Sequence, residues 1–204
     1  MNDNTIQSVL NKQRVDKFRL ILTIPKILRD LDTKDFTTTQ QELLNSDSLQ
    51  FSLFGVNIPK VSVPSKDIGY HGQTIRVSSQ TRPPYDPVNC KFVVDNRFRN
   101  YWVLWKWLEV LNDARSSLMD GGLSENTIGV PQVGQIPNDS NFWDYQTIMT
   151  LTPLDEYNEP MCRFNFYNAF ITDLAGLEFN YQTADEMAGN FTFTFGQMDI
   201  SILD

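Results

Sequence analysis

The clearest constraint on the fold is a strict alternation of side chains between Ala188 and Ile202. Aromatic residues occupy every second position, and small polar residues occupy the positions between them. The aromatic set is Phe191, Phe193 and Phe195, and the polar set is Asn190, Thr192 and Thr194. Because successive side chains of a strand point to opposite faces, this pattern predicts a strand with one buried and one exposed face.

Weaker alternation and short apolar runs predict further strands along the chain. They are Lys17–Ile24, Leu49–Ile58, Gln73–Ser79, Pro87–Val94, Asp144–Thr152, Met161–Phe170 and Gly176–Tyr181. Many short strands with few helices are typical of an antiparallel β-sandwich or barrel. We therefore expect a mainly β fold with one principal α-helix packed on it.

The principal helix is predicted over Arg97–Ala114, with Asp95 or Asn96 as its cap. Apolar residues in this segment recur at the spacing of one helix face. They are Tyr101, Leu104, Trp105, Leu108 and Leu111. We expect this stripe to pack on the sheets and Trp105 to be buried, with Trp107 lying off the stripe.

The length of 204 residues fits a single domain. Residues 1–16 are predicted to be a polar arm. Residues 26–48 are predicted to be a long loop, or a short helix followed by a loop. Residues 59–72 and 115–141 are rich in loop-forming residues and are predicted to be further long loops.

Charge is distributed unevenly along the chain. The net charge is −8, and residues 141–204 hold ten acidic residues against the single base Arg163. Proteins that bind nucleic acid tightly need a basic surface, so this acidic charge balance argues against tight DNA or RNA binding. The acidic C-terminal third can also be read as a solvated surface that keeps the protein soluble.

The sequence lacks the groups of residues that catalysis or metal binding usually requires. The single histidine, His71, lies in the turn between Gly69 and Gly72, and no cysteine cluster accompanies it. The acidic pairs Asp155–Glu156 and Asp185–Glu186 sit beside turn residues, and adjacent side chains on extended backbone diverge. We expect no enzyme activity, metal or cofactor.

The chain shows no signal for membrane insertion or secretion. No apolar run approaches the roughly 18 residues of a spanning helix, and residues 1–10 lack the pattern of a signal peptide. We expect synthesis in the cytosol. Cys90 and Cys162 lie in strand-like segments and fit buried reduced thiols, with a disulfide possible only between neighbouring strands.

Three segments, in this order, resemble the tail tube proteins of bacteriophages. VNIPKVSVPS (Val56–Ser65) is similar to a loop of that family. VNCKFVVDNRFRNYWVLWKWLEVLND (Val88–Asp113) resembles its strand, acidic turn and principal helix. NAFITDLAGLEFNYQTADEMAGNFTFTFGQMDI (Asn168–Ile200) resembles its C-terminal hairpin.

The resemblance implies a structural virion protein of the phage tail. Six copies would form a ring, inner strands of neighbours would join into a barrel, and stacked rings would form a channel for ejected double-stranded DNA. The implied partners are further copies of the chain and the tail sheath, baseplate tube initiator, tape measure and tail terminator proteins. DNA would pass through without tight binding, and no membrane is involved.

Two sets of residues become site candidates under this resemblance. A channel lining must let phosphate slide past, which favours acidic or neutral polar residues. The candidate lumen-facing residues are Arg163, Asn165, Asn190, Thr192 and Thr194. The family loop implies ring stacking, and its candidate residues here are Pro59, Val61, Val63, Pro64, Lys66, Asp67 and Tyr70.

Two alternative functions remain open at this stage. A baseplate tube initiator or a tail-completion ring would share the fold but form a single ring. A non-viral β-sandwich binding module would instead use exposed aromatic platforms for carbohydrate or peptide, with Trp102, Trp107 and Trp143 as candidates.

Overall fold

The computed structural model describes residues 16–31, 36–111, 144–180 and 186–203 of the chain. The strands are β1 (Phe18–Thr23), β2 (Ser48–Phe51), β3 (Leu53–Val56), β4 (Ser65–Tyr70), β5 (Gln73–Ser78), β6 (Val88–Val93), β7 (Thr147–Pro153), β8 (Cys162–Leu174), β9 (Ala188–Thr194) and β10 (Gln197–Ile202). The helices are α1 (Lys26–Arg29), α2 (Thr38–Leu44) and α3 (Arg99–Leu111). The predicted mainly β fold class with one principal helix is confirmed. The loop at 115–141 and nearly all of the arm at 1–16 lie outside the described residues.

Antiparallel pairing arranges the strands in two sheets that share β8. The first sheet has the order β2-β1-β7-β8-β10, and the second has the order β3-β6-β9-β8. The first half of β8 lies between β7 and β10, and its second half pairs with β9. Among the described strands the ladder does not close into a barrel, so the architecture is a sandwich.

A corner in β8 carries the chain from one sheet to the other. Asn168 has a φ of 53°, and the side-chain alternation shifts there, so Phe166 and Ala169 both face the core. The partner strand bends at the same level, where Gly196 N donates to Tyr167 O at 3.0 Å. The final strand expected over Ala188–Ile202 is therefore divided at Phe195 and Gly196 into β9 and β10.

Two other strand predictions need correction. The segment Leu49–Ile58 is divided at Ser52, because β2 pairs with β1 while β3 pairs with β6. The strand expected at Gly176–Tyr181 is wrong, because the segment from Gly176 to Asn180 has no regular structure. Strand β6 occupies the place beside β9, so this segment has no ladder to join.

The loop predictions need correction as well. Residues 26–48 hold two short helices, α1 and α2, and the backbone N–H of Thr37 donates to Gln40 Oε1 at 2.9 Å at the start of α2. The predicted loop at 59–72 is irregular only at its start. Its second part forms β4, because it pairs with β5 in a separate two-stranded sheet.

The core between the sheets is built on phenylalanine rings. Five of them are no more than 1% exposed: Phe51, Phe92, Phe166, Phe191 and Phe193. Their neighbouring centroids lie 5.3–6.4 Å apart, within the range of favourable aromatic pairs. Gly189 is required beside Phe92, since an added Cβ would come within 2.6 Å of the ring. The expected inward set on β9 is confirmed.

Helix α3 is attached to the second sheet by polar contacts at its start. The helix begins at Arg99, two residues later than predicted, so Asp95 does not occupy the N-cap position. Its Oδ1 nevertheless accepts the backbone N–H of Arg99 at 2.6 Å and so satisfies one of the free N–H groups at the helix start. Asn100 is only 6% exposed, and its Nδ2 donates to Val93 O at 2.7 Å while its Oδ1 accepts from Asp95 N at 3.2 Å. These bonds fix the rotation of the helix against β6.

That rotation displaces the buried face by one residue from the predicted stripe. The buried residues are Asn100, Val103, Leu104, Trp107 and Val110. Of the predicted stripe, Leu104 is buried, and Tyr101, Leu108 and Leu111 are partly buried against the core. The prediction is wrong for Trp105, which is 43% exposed, whereas Trp107 is fully buried with Nε1 donating to Tyr145 O at 3.0 Å.

We predict that Trp107→Ala costs about 3–5 kcal/mol of unfolding free energy, because it leaves a cavity and removes the hydrogen bond from Nε1 to Tyr145 O. The matched change Trp105→Ala, two residues away, should cost about 1 kcal/mol or less. Urea denaturation of both variants measures the difference. Equal losses for the two tryptophans would contradict the observed orientation of the helix.

Candidate assembly surfaces

The residues considered as candidates for catalysis or metal binding have structural roles. His71 lies at the tip of the β4–β5 hairpin with a φ of 47°, next to Gly72 with a φ of 80°, as a two-residue hairpin turn requires. Asp155 Oδ1 accepts the backbone N–H groups of Tyr157 and Glu159 at 2.8 Å each, so this carboxylate holds a turn. Across the described residues no group of three potential metal-binding side chains comes together.

The two thiols are separate and neutral. Cys90 lies on β6 and Cys162 on β8, strands that do not pair with one another, and both are free. Burial raises the pKa of the Cys90 thiol to about 12, and burial also raises the pKa of Cys162. A neutral thiol is a poor nucleophile, so neither cysteine is activated for chemistry.

One edge of the first sheet is open. Among the described residues β10 pairs only with β8, so the backbone groups along its other side have no strand partner. Two large apolar side chains of this strand are exposed, Ile200 at 52% and Ile202 at 83%. An exposed edge with apolar side chains is a surface on which another chain adds a strand.

The β4–β5 hairpin has an apolar face that no other described segment covers. Cross-strand pairing places Lys66 and Val77, Ile68 and Ile75, and Tyr70 and Gln73 on one face. Ile68, Ile75 and Tyr70 on this face are 45–60% exposed. The opposite face is polar and carries an ion pair between Arg76 Nε and Asp67 Oδ1 at 3.2 Å. An isolated two-stranded hairpin is marginally stable in water, so we expect another surface to cover this apolar face and stabilise the hairpin.

The predicted ring-stacking residues belong to this region but divide into two groups. Lys66, Asp67 and Tyr70 lie on β4, while the other four precede it in irregular chain: Pro59, Val61, Val63 and Pro64. Val61 and Val63 are each 50% exposed. Ile68 and Ile75 were missed as candidates. The sequence signal was the alternation from Lys66 to Tyr70, leading into the His71–Gly72 turn and continuing in Gln73–Ser78.

The predicted lumen-facing residues lie on two different sheets. Asn190, Thr192 and Thr194 point outward from β9 in the second sheet, opposite the buried phenylalanines. Arg163 and Asn165 point outward from β8 in the first sheet, since Asn165 pairs with Thr150 and Asp199. If a single sheet forms the channel wall, the lumen is therefore lined either by the β9 residues or by Arg163 and Asn165, but not by both sets.

Of the three aromatic platforms of the binding-module alternative, the two that the structure describes are not fully exposed. Trp107 is buried, and Trp102 is half-buried with its ring 5.9 Å from that of Phe36 in an edge-to-face contact. Trp143 lies outside the described residues. The interpretation of Trp102 and Trp107 as exposed stacking platforms is therefore wrong.

No helix within the described ranges combines the length and apolar character needed to cross a lipid bilayer.

Comparison with known proteins gives one family match. A family model described as phage tail tube protein matches residues 13–200, which is most of the chain. No curated protein matches the sequence.

Solved structures with the same fold come from contractile injection systems. A chain of the sheath–tube complex of an extracellular contractile injection system (PVC), in the extended state, has a TM-score of 0.55 at 11% identity, covering 94% of this chain and 93% of that chain. The tube-terminating cap of the anti-feeding prophage has a TM-score of 0.54 at 12% identity, covering 100% of both chains. The PVC sheath/tube terminator, in the extended state, has a TM-score of 0.55 at 12% identity, covering 95% of this chain and 99% of that chain. At these identities the likeness establishes the fold alone.

Proposed function

Because this chain belongs to the phage tail tube protein family, a family of structural proteins, we propose that its copies form hexameric rings that stack into the channel for double-stranded DNA ejection. The observation that carries the proposal is the open edge of β10 with Ile200 and Ile202 exposed beside it. Pairing this edge with a sheet of the next copy satisfies its backbone groups and buries both side chains. A head-to-tail contact of this kind closes into a ring when its rotation divides the circle evenly.

Stacking of rings is the role we assign to the β4–β5 hairpin. Its apolar face has no cover within the described part of the copy, while its polar face is already satisfied by the Asp67–Arg76 ion pair. A neighbouring ring that covers Ile68, Tyr70 and Ile75 would remove apolar surface from water and order the hairpin. Pro59–Pro64 would carry the hairpin away from the sandwich to reach that ring.

The outer face of β9 is the channel wall that we favour. Its three outward residues, Asn190, Thr192 and Thr194, are uncharged, and the flanking charges of Lys91 and Asp173 are of opposite sign. Such a wall offers phosphate no net attraction, so DNA can slide past it without releasing counterions. The first sheet presents Arg163 and is less suited to this role.

Such a tube takes its place in the phage tail of the virion after synthesis in the host cytoplasm. Its further partners would be a tail sheath, a baseplate tube initiator, a tape measure protein and a tail terminator. A protein of the same fold in a sheath–tube complex is consistent with a sheath partner. Formation of single rings without tubes would favour the initiator or completion-ring role.

The stacking role predicts that Ile68→Thr combined with Ile75→Thr abolishes tubes while the sandwich stays folded. Threonine keeps the strand propensity of the hairpin but removes its apolar face. Negative-stain electron microscopy should show tubes for the unaltered protein and single rings for this variant. The control is Asp67→Thr with Arg76→Thr, which changes the opposite face at the adjacent cross-strand pair and should leave tubes intact. Normal tubes from the isoleucine variant would refute the stacking role.

The channel assignment predicts that Thr192→Lys with Thr194→Lys slows DNA ejection without blocking tube formation, because two added cations per copy would attract phosphate. Ser48→Lys with Gln50→Lys makes the same change, at the same spacing, on exposed positions of β2 in the first sheet. Ejection kinetics of phage carrying each variant, measured by release of packaged DNA, compare the two sheets. Slowed ejection from the β2 variant and normal ejection from the β9 variant would move the channel wall to the first sheet.

A further inference from the structure

The outer face of the first sheet holds a pocket of about 300 Å³ that is rich in hydrogen-bond donors. Its polar lining consists of Arg19, Thr150, Thr152, Arg163, Asn165 and Ser201. These residues come from β1, β7, β8 and β10, so four paired strands contribute to one site. The sheet scaffold fixes their relative positions.

The register explains why two arginines meet there. Arg19 is the cross-strand partner of Thr152, and Arg163 is the partner of Ser201. Leu151 pairs with Phe164, which places Thr152 and Arg163 side by side on β7 and β8. Since neighbouring strands lie about 4.8 Å apart, the two arginine backbones are separated by roughly 10 Å with Thr152 between them. Thr152 is 1% exposed, so the floor of the pocket is shielded from water.

Neither guanidinium has an ion-pair partner in the part of the chain that the structure describes. Arg19 Nε is buried and makes no hydrogen bond. A buried N–H of a cation without an acceptor is costly, and proteins usually satisfy it. The nearest acidic residue by register, Asp199, lies opposite Asn165 and accepts a hydrogen bond from Ser201 Oγ at 3.3 Å, so the three described charges Arg19, Arg163 and Asp199 sum to +1.

We propose that this pocket binds a phosphoryl oxyanion. The Thr150 and Ser201 hydroxyls already donate to Asn165 Oδ1 and Asp199 Oδ2. The donors that remain are the two guanidinium groups, the Thr152 hydroxyl and the Asn165 Nδ2 amide, and together they exceed what the two oxygens of a carboxylate can accept. A phosphoryl group offers three or more oxygens around one centre, which suits donors that converge from both sides of Thr152. The site lies on the first sheet, away from the β9 face assigned to the channel, and does not depend on that assignment.

The source of the phosphoryl group is either a free phosphate compound or a nucleic-acid backbone. Isothermal titration calorimetry of the full chain with inorganic pyrophosphate, at low ionic strength, tests the shared chemistry. A short double-stranded DNA added as competitor distinguishes the sources. Displacement of pyrophosphate by the duplex indicates a backbone source, and its failure indicates a free phosphate compound.

Three variants test whether the pocket residues bind pyrophosphate, and a fourth serves as the control. Arg19→Gln and Arg163→Gln should each weaken pyrophosphate binding about 10-fold or more, because each removes charge-assisted hydrogen bonds. Asp199→Asn should tighten binding, because it removes the negative charge that lies nearest the pocket among the described residues. Lys91→Gln removes the same charge from the second sheet and should leave the affinity unchanged.

Circular dichroism melting of each variant confirms that the fold is retained. Absence of pyrophosphate binding would overturn the proposal, and so would an equal loss in Lys91→Gln, which would show attraction to overall charge alone. Citrate or glutamate binding as tightly as pyrophosphate would also overturn it, by making the site one for carboxylates.

Discussion

The hydrogen-bond ladder along β8 is the constraint on which the rest of the structure depends. This strand supports the first sheet through β7 and β10 and the second sheet through β9, with the corner at Asn168 between them. The corner keeps Phe166 and Ile171 on the same core although they belong to different sheets. It also leaves β10 as an edge strand whose other side has no strand partner among the described residues, so the corner that builds the sandwich also creates its open edge.

The open edge and the exposed hairpin have a common physical meaning. Each leaves groups that are unfavourable in water: unpaired backbone along β10, and the apolar side chains of Ile68 and Ile75 on the hairpin. Sheet proteins that act as single copies usually protect such features. In the proposed tube, one of these contacts would close the ring and the other would join ring to ring. The acidic balance of −8 per copy opposes assembly, so these contacts must also offset charge repulsion.

Local patterns in the sequence predicted most of the strands, because alternation depends only on which face is buried. The inward phenylalanines of β9 and the apolar segment of β6 show this directly. The predicted buried face of α3 differs from the observed face by one residue, because apolar residues lie all around the helix. The residue that fixes its rotation, Asn100, is polar and therefore gives no hydrophobic signal in the sequence. The corner at Asn168 and the arginine pocket depend on pairing between distant strands. No local pattern contains that information, and so Arg19 could not be linked to Arg163 from sequence.

The central claim is that the free side of β10 becomes paired with another copy. Amide hydrogen exchange, measured on assembled and dispersed protein, tests it most directly. The account predicts slower exchange in Gln197–Ile202 on assembly, while β9, already paired on both sides by β6 and β8, changes little. Equal exchange of β10 in both states, or a protein that stays a single copy at high concentration, would contradict it.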